Sequence, residues 1–290
     1  MKKVVLITGS SSGFGELTTR SLSKAGYTVY ATLRNKSGKN AEKARELEAL
    51  DGVSVLDLDV TSQSSIESAV NTVISREGKV DVLVNNAGIG SGGYTEPFSA
   101  TEFQKVFDVN VFGVQRLMNA ILPSMRNNRS GLVINVSSVM GRFVIPYAGV
   151  YTASKWAVEG LSESYKYELA PTGVDIAIVE PGGFGTNFMA GMVNAADEER
   201  VNSYGELNAI PQQMWEGFAQ HLQSEHGPNP QEVADAIVQL IEMPAGQRPL
   251  RTVVDPMTGG EGPKVINATS DKVQEQFFAS MQPEDTPSAN

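Results

Sequence analysis

"VVLITGSSSGFG", residues 4–15, sets an apolar, β-branched run directly against a turn rich in serine and glycine. Four consecutive apolar residues suit a strand buried on both faces. A strand that feeds such a turn into a helix N-terminus offers backbone N–H groups and the positive end of the helix to a phosphate. Gly9 allows the tight turn, and Gly13 and Gly15 let the backbone approach a ligand and the helix pack on the strand. Ser11, Ser12 and Phe14 complete the cradle. The glycine gaps run in the reverse order of the G-x-G-x-x-G dinucleotide fingerprint, which narrows the kind of site expected.

Outward from this stretch, short apolar runs alternate with helical patterns: "TVYATL", "NAEKARELEAL", "VSVLDLDV", "QSSIESAVNTVISREG", "VDVLVNNAG", "GLVINVSS" and "VDIAIVEPGG" among them. Strands this apolar with helices between them predict an α/β protein, a single-domain doubly wound Rossmann fold with a mostly parallel sheet. "PQEVADAIVQLIEM" places Val233, Ala236, Ile237, Leu240 and Ile241 on one helical face, and "RTVVD" predicts a last strand. Residues 187–229 are longer than an ordinary connection. The domain is expected to span 1–267, with a polar, frayed tail over 268–290.

Composition bounds the function. With 290 residues, 41% of them hydrophobic, the chain can bury about 75% of its unfolded surface without staples. It holds no cysteine, which excludes disulfides, thiolate ligands and a cysteine nucleophile. A net charge of −10 opposes nucleic acid and anionic membranes as partners. "MKKVVLITG" is too short in apolar residues for a signal segment, no window approaches a membrane span, and the cytoplasm is the expected location. His221 and His226 stand too isolated for a metal site, so no metal is expected.

The chemistry lies further on. Tyr151 and Lys155 in "YTASK" are four apart and share one helical face. Ser138 in "NVSSVMG" comes 13 residues earlier, at the end of a predicted strand, where open α/β sheets bind ligands. A phenol has a pKa of about 10. An ammonium about 4 Å away, at an effective dielectric near 20, would favour the phenolate by up to about 4 kcal/mol, roughly three pKa units. Tyr151 could then exchange a proton with a carbonyl or alcohol oxygen near neutrality, and Ser138 could hydrogen-bond the same oxygen.

With "TGSSSGFG", "LDV" around Asp59, "NNAG" at 85–88, Asn110 in "VFDVNVFG", Ser138, "YTASK" and "PGGFGT" at 181–186, the sequence resembles the short-chain dehydrogenase/reductase family over residues 3–255. Through "YATLRN", "VDVLVNNAG" and "YTASKWAVEGL" it is most similar to the estradiol 17-beta-dehydrogenase and retinol dehydrogenase branch. The resemblance implies that Lys155 also holds the nicotinamide ribose hydroxyls. It implies that Asn110 positions a water linking Lys155 to solvent, although a buried Asn at a helix break is the alternative. Asp59 would accept from the adenine amino group with Val60 beside it, Asn86 and Gly88 would approach the cofactor through their backbone, and Pro181, Gly182 and Thr186 would meet the nicotinamide amide. Phe184 replaces a small β-branched residue common in that loop.

An acidic residue usually ends the second strand of an NAD site, whereas an arginine there suits a 2′-phosphate. Here Leu33 is followed by Arg34, which predicts NADP(H), with Ser11 or Ser12 and more loosely Lys36 assisting. By the resemblance, 187–229 is a helical substrate lid. Phe188, Met189, Met192 and Trp215 there, with Met140, Tyr147 and Phe184, are candidate walls of an adaptable apolar pocket. Met214, Trp215 and Phe218 follow helical spacing, which suits equally an amphipathic helix packed on the core. The expected protein is an NADP(H)-dependent oxidoreductase interconverting a ketone or aldehyde with its alcohol, on a fairly apolar small molecule of steroid, retinoid or aromatic type. An NAD-dependent alcohol dehydrogenase and a non-catalytic dinucleotide sensor are the alternatives. A homodimer or homotetramer is implied by the resemblance, paired through the helices bearing Asn110 and Lys155.

Overall fold

The computed structural model describes residues 2–281. In chain order its elements are β1 (Val4–Ile7), α1 (Gly13–Lys24), β2 (Thr28–Leu33), α2 (Ala41–Glu48), β3 (Val53–Asp57), α3 (Gln63–Glu77), β4 (Val82–Asn85), α4 (Ala100–Phe107), α5 (Gly113–Asn127) and β5 (Gly131–Val136). There follow α6 (Gly149–Leu169), β6 (Val174–Pro181), α7 (Glu198–Asn202), α8 (Ala209–Leu222), α9 (Gln231–Glu242), β7 (Arg251–Val254) and α10 (Glu261–Met281).

The strands form one sheet in the order β3-β2-β1-β4-β5-β6-β7, and every described pairing is parallel. The order reverses between β1 and β4, which opens a crevice at the carboxyl ends of those strands. Successive side chains of a strand point to opposite faces, so each central strand feeds two cores. Leu6, Leu83, Val133 and Ile176 join Ile66, Val73, Leu117 and Ile121 of α3 and α5. Val5, Ile7, Val84, Ile134 and Val179 join Leu22, Val233, Ile237 and Leu240 of α1 and α9. Burying each such side chain stabilises the fold by about 1.5–3 kcal/mol, which is why both faces of these strands read as apolar.

Local signals set the helix ends. The Ser62 hydroxyl accepts from Ser65 N at 3.3 Å to begin α3, and Gly78, at φ 78°, ends it. Ser99 and Glu102 form a capping box on α4. Glu102 also accepts from Ala196 N at 2.6 Å, tying the long 187–229 segment to the body. Val193 bridges Ser91 by a short parallel pairing in the same segment. α8 buries only Pro211 and Leu222, with Met214, Trp215 and Phe218 half-buried on one face.

The boundary expected at 267 is not a structural one. α10 runs through it to Met281, anchored by the burial of Pro263 and Asn267 and by Phe278 packed edge-on against Tyr167, with ring centroids 4.8 Å apart. Its polar composition reflects a helix lying on the surface, where Val265, Val273, Phe277 and Met281 stay exposed. The rest of the expected tail, 282–290, lies outside the described residues. No described helix is long and apolar enough to cross a membrane.

Candidate active site

The crevice is floored by strand ends. The β1–α1 turn reaches Gly9 at φ 71° and Gly13 at φ 56°, conformations that L side chains rarely adopt. A Cβ on Gly15 would fall 2.4 Å from the Gly9 carbonyl oxygen and 2.5 Å from Asn86 Nδ2, so this glycine serves the closure of the turn. Asn86 Nδ2 donates to Thr8 O at 2.8 Å and Gly9 O at 3.1 Å, bracing the same turn from β4. Ser12 sits at the N-cap of α1 without a side-chain capping bond among the described residues, which leaves first-turn N–H groups facing the crevice. The one carboxylate in that turn, Glu16, is neutralised by Arg20 at 2.8 Å and Lys43 at 3.2 Å. An uncapped, glycine-built helix N-terminus of this kind fits a dinucleotide pyrophosphate.

The remaining cradle residues divide. Asp59 Oδ1 accepts from Thr61 N at 2.9 Å and Thr61 Oγ1 at 2.7 Å, which fixes the carboxylate at the end of β3. Val60 is buried against Gly113, where a Cβ would come within 2.9 Å of it. Arg34 is exposed at the end of β2, and its side chain lines a cavity of about 530 Å³ with Thr61, Lys105, Val109 and Met192. Lys36 does not assist there: its Nζ donates to Val55 O at 2.8 Å and lies 3.5 Å from Glu48. Gly182 packs on Asp255, and Thr186 lies across from Gly13, with its Cβ 3.5 Å from the position of a Gly13 Cβ. Pro181 closes β6. The Phe184 ring is buried in the core layer of α1 and α9 and meets the half-buried Phe14 edge-on at 5.4 Å.

The first turns of α6 carry the chemical groups. Tyr151 and Lys155 are 8% and 6% exposed, and Ser138, at the turn after β5, is 6% exposed. Tyr151 N donates to Ser91 Oγ at 2.9 Å, and Lys155 Nζ donates to Val136 O at 2.8 Å while standing 5.6 Å from the Tyr151 ring centroid. Burial drives the phenol up to about 12, against a smaller downward pull from a hydrogen bond with Ser138. Burial likewise lowers Lys155 to about 8, with Glu159 pulling it back up. The lowering of the tyrosine expected from sequence is therefore not present in this state. Desolvation outweighs a lysine that is directed at a backbone carbonyl rather than at the phenol oxygen.

Asn110 lies in a five-residue π-helical stretch, Asp108–Phe112, between α4 and α5. Its Oδ1 accepts from Ile89 N, and its Nδ2 donates to Ile89 O and Ser154 Oγ, all at 2.9 Å. The amide thus braces the loop after β4, the π-turn and α6, and both its hydrogens are committed. A Cβ on Gly88 would meet Asn110 Oδ1 at 3.4 Å and Lys155 Nζ at 3.8 Å, so this glycine keeps the floor open beside Lys155.

The expected pocket walls separate into two groups. Phe188 stacks edge-on over Tyr151 at 5.4 Å. Met189, Met192 and Trp215 line a second cavity of about 680 Å³ between the 92–94 loop and the 187–229 segment. Tyr147 packs on Tyr94 at 5.1 Å and its carbonyl accepts from Trp215 Nε1 at 3.3 Å, beside two residues that line that cavity, and Met140 Sδ accepts from Thr152 Oγ1 at 3.8 Å. The sequence did not single out Tyr94, which lines this cavity, or Tyr204, which stacks on it with ring centroids 3.9 Å apart; for Tyr204, an aromatic residue in a long connection was the available signal.

A profile of the family described as short chain dehydrogenase matches residues 3–197. A 3-ketodihydrosphingosine reductase of Bacteroides thetaiotaomicron is 36% identical over 260 residues, 88% of each chain. Human retinol dehydrogenase 8 is 38% identical over 251 residues, 82% of this chain and 78% of that one. The structure of an alcohol dehydrogenase from Thermococcus sibiricus complexed with 5-hydroxy-NADP superposes with a TM-score of 0.69 at 28% identity, covering 88% of this chain and 96% of that chain.

Proposed function

The chain belongs to the short chain dehydrogenase family, and on that premise we propose that it is an NADP(H)-dependent oxidoreductase that interconverts a ketone or aldehyde with its alcohol. The observation that carries the reading is the convergence of Tyr151, Lys155 and Ser138, all nearly buried, at strand ends facing an uncapped glycine turn. Bound nicotinamide supplies or accepts the hydride. Tyr151, with its phenol held protonated at neutral pH, is the acid for a carbonyl oxygen and takes the proton back in the reverse direction. Ser138 orients that oxygen by a hydrogen bond, and Lys155 holds ribose hydroxyls.

Arg34 at the end of β2 supports NADP(H), since a guanidinium there matches a 2′-phosphate and Leu33 leaves no carboxylate for a 2′-hydroxyl. Residues 187–229 act as a lid, and the apolar side chains of Phe188, Met192 and Trp215 favour an apolar substrate. Self-association fits the exposure of Phe112 (48%) and Trp156 (49%) on the two helical stretches expected to pair.

The test is a calorimetric titration with NADPH and, separately, NADH at one salt concentration. Preference for NADPH is expected. Preference for NADH would overturn the Arg34 argument alone, and binding of neither would overturn the enzyme reading.

A further inference from the structure

Further along the face of α6 that carries Tyr151 and Lys155 lies a second, internal group of charges. Glu159, one turn after Lys155, and Glu180, near the end of β6, are 2% and 0% exposed, and the Arg251 side chain on β7 is 3% exposed. Arg251 Nε donates to Glu159 Oε2 at 2.9 Å, Nη2 to Glu163 Oε2 at 2.7 Å, and Nη1 to Asp271 Oδ1 of α10 at 3.3 Å. Glu180 accepts from Asn267 Nδ2 of α10 at 2.7 Å and stands 3.6 Å from Arg251 Nε. Arg142, in the turn after β5, is the other cation acting on this group.

The carboxylates outnumber the guanidinium groups in reach, and one of them gives way. Burial and the neighbouring Glu159 push the Glu180 carboxyl well above the usual carboxylate range, while Glu159 is bonded to Arg251. The second oxygen of Glu159, Oε1, is buried without a hydrogen-bond partner among the described residues. It lies beside Gly141: a Cβ there would be 3.2 Å from Glu159 Oε1 and 2.8 Å from Ser137 Oγ, which is also buried and, among the described residues, unpartnered. The bare carboxylate oxygen therefore faces the turn that follows Val136, whose carbonyl seats Lys155 Nζ, and that contains Ser138.

We propose that Glu159 is a positioning residue: fixed by Arg251, its carboxylate is the internal counter-charge that keeps the Lys155 ammonium charged and seated beside Tyr151, so β7 and α10 support the site. The catalytic meaning of this arrangement rests on the dehydrogenase reading; the charge coupling does not.

The test follows Lys155 directly. Lysine labelled with carbon-13 at Cε is incorporated into the full chain, and the Lys155 signal, assigned by its loss in Lys155→Met, is titrated. Glu159→Gln should move its midpoint about one pH unit below that of the wild-type protein, the effect of removing an opposite charge one helical turn away. Glu159→Asp, which draws the charge back by one methylene, should lower the midpoint by only about a few tenths of a unit. A Glu159→Gln protein that melts earlier with an unmoved Lys155 midpoint would show a purely structural role and overturn the proposal. Should that variant not fold, Glu159→Asp decides: a lowered midpoint supports the coupling, and one at or above the wild-type value overturns it. Failure of the wild-type protein to turn over any carbonyl would refute the dehydrogenase reading instead, and the titration would still decide this one.

Discussion

The floor of the crevice and the 187–229 segment, the cover proposed above, are built in opposite ways. Ser138, Tyr151, Lys155 and Asn110 are nearly buried and tied by hydrogen bonds to β5, the loop after β4 and the neighbouring turns. The 187–229 segment touches the body through the Ser91–Val193 bridge, the Glu102–Ala196 bond and a few side chains, and α8 buries only two of its residues. Groups that must meet a reacting atom at fixed distance belong on rigid strand ends, whereas groups that only enclose a substrate can sit on a weakly packed segment. The contrast implies that changes in the floor alter the chemical step and changes in the cover alter substrate affinity.

The strongest way to break this contrast is Tyr151→Phe, which should lower kcat by about 10³-fold while NADPH affinity, read by calorimetry, stays within about twofold. Surviving turnover would assign the acid elsewhere. Next in size is the pH dependence of stability. Lys155 titrates near 8 in the folded chain and near 10.4 unfolded, so between these values the unfolded chain binds more protons and stability rises with pH. The full span is worth up to about 3 kcal/mol. Glu180, raised by burial and by Glu159, acts in the opposite sense as pH rises, so the loss of the rise in Lys155→Met isolates the share of the lysine. Urea melts of the wild-type protein should show the rise there, and those of Lys155→Met should not.

Arg34→Ala should weaken NADPH by about 10- to 100-fold, the worth of a charge-assisted contact, and leave NADH within about twofold. Equal losses for the two cofactors would remove the 2′-phosphate argument. The smallest effect belongs to the cover: Phe188→Ala should raise KM for an apolar carbonyl by about 3- to 10-fold with kcat little changed. A fall in kcat of the size expected for Tyr151→Phe would mean that the cover takes part in the chemical step, and the contrast would fail.

Much of the floor was legible because its signals are local. An apolar run ended by glycines at positive φ, and a Tyr and a Lys four apart, specify a turn and a shared helix face through backbone geometry alone. Less was legible where distant residues compete for one side chain. Phe184 sits in a loop whose family counterparts meet ligand, yet its ring fills the core against Phe14. Lys36 follows Arg34 closely in sequence but turns to Val55. The 268–281 stretch is polar, and only its packing partners, Tyr167 and the Arg251 group, reveal it as a helix on the body.

By itself, then, the sequence determined the alternation of strands and helices, the glycine cradle and the identity of the groups that meet at the crevice, since each follows from spacing within a few residues. Tertiary structure alone decided how those groups are charged. Tyr151 and Lys155 are moved from their ordinary titration ranges by burial, and Glu159 is held by an arginine 92 residues away. Desolvation and long-range charge depend on what surrounds a group in space, and the order of residues along the chain does not state it.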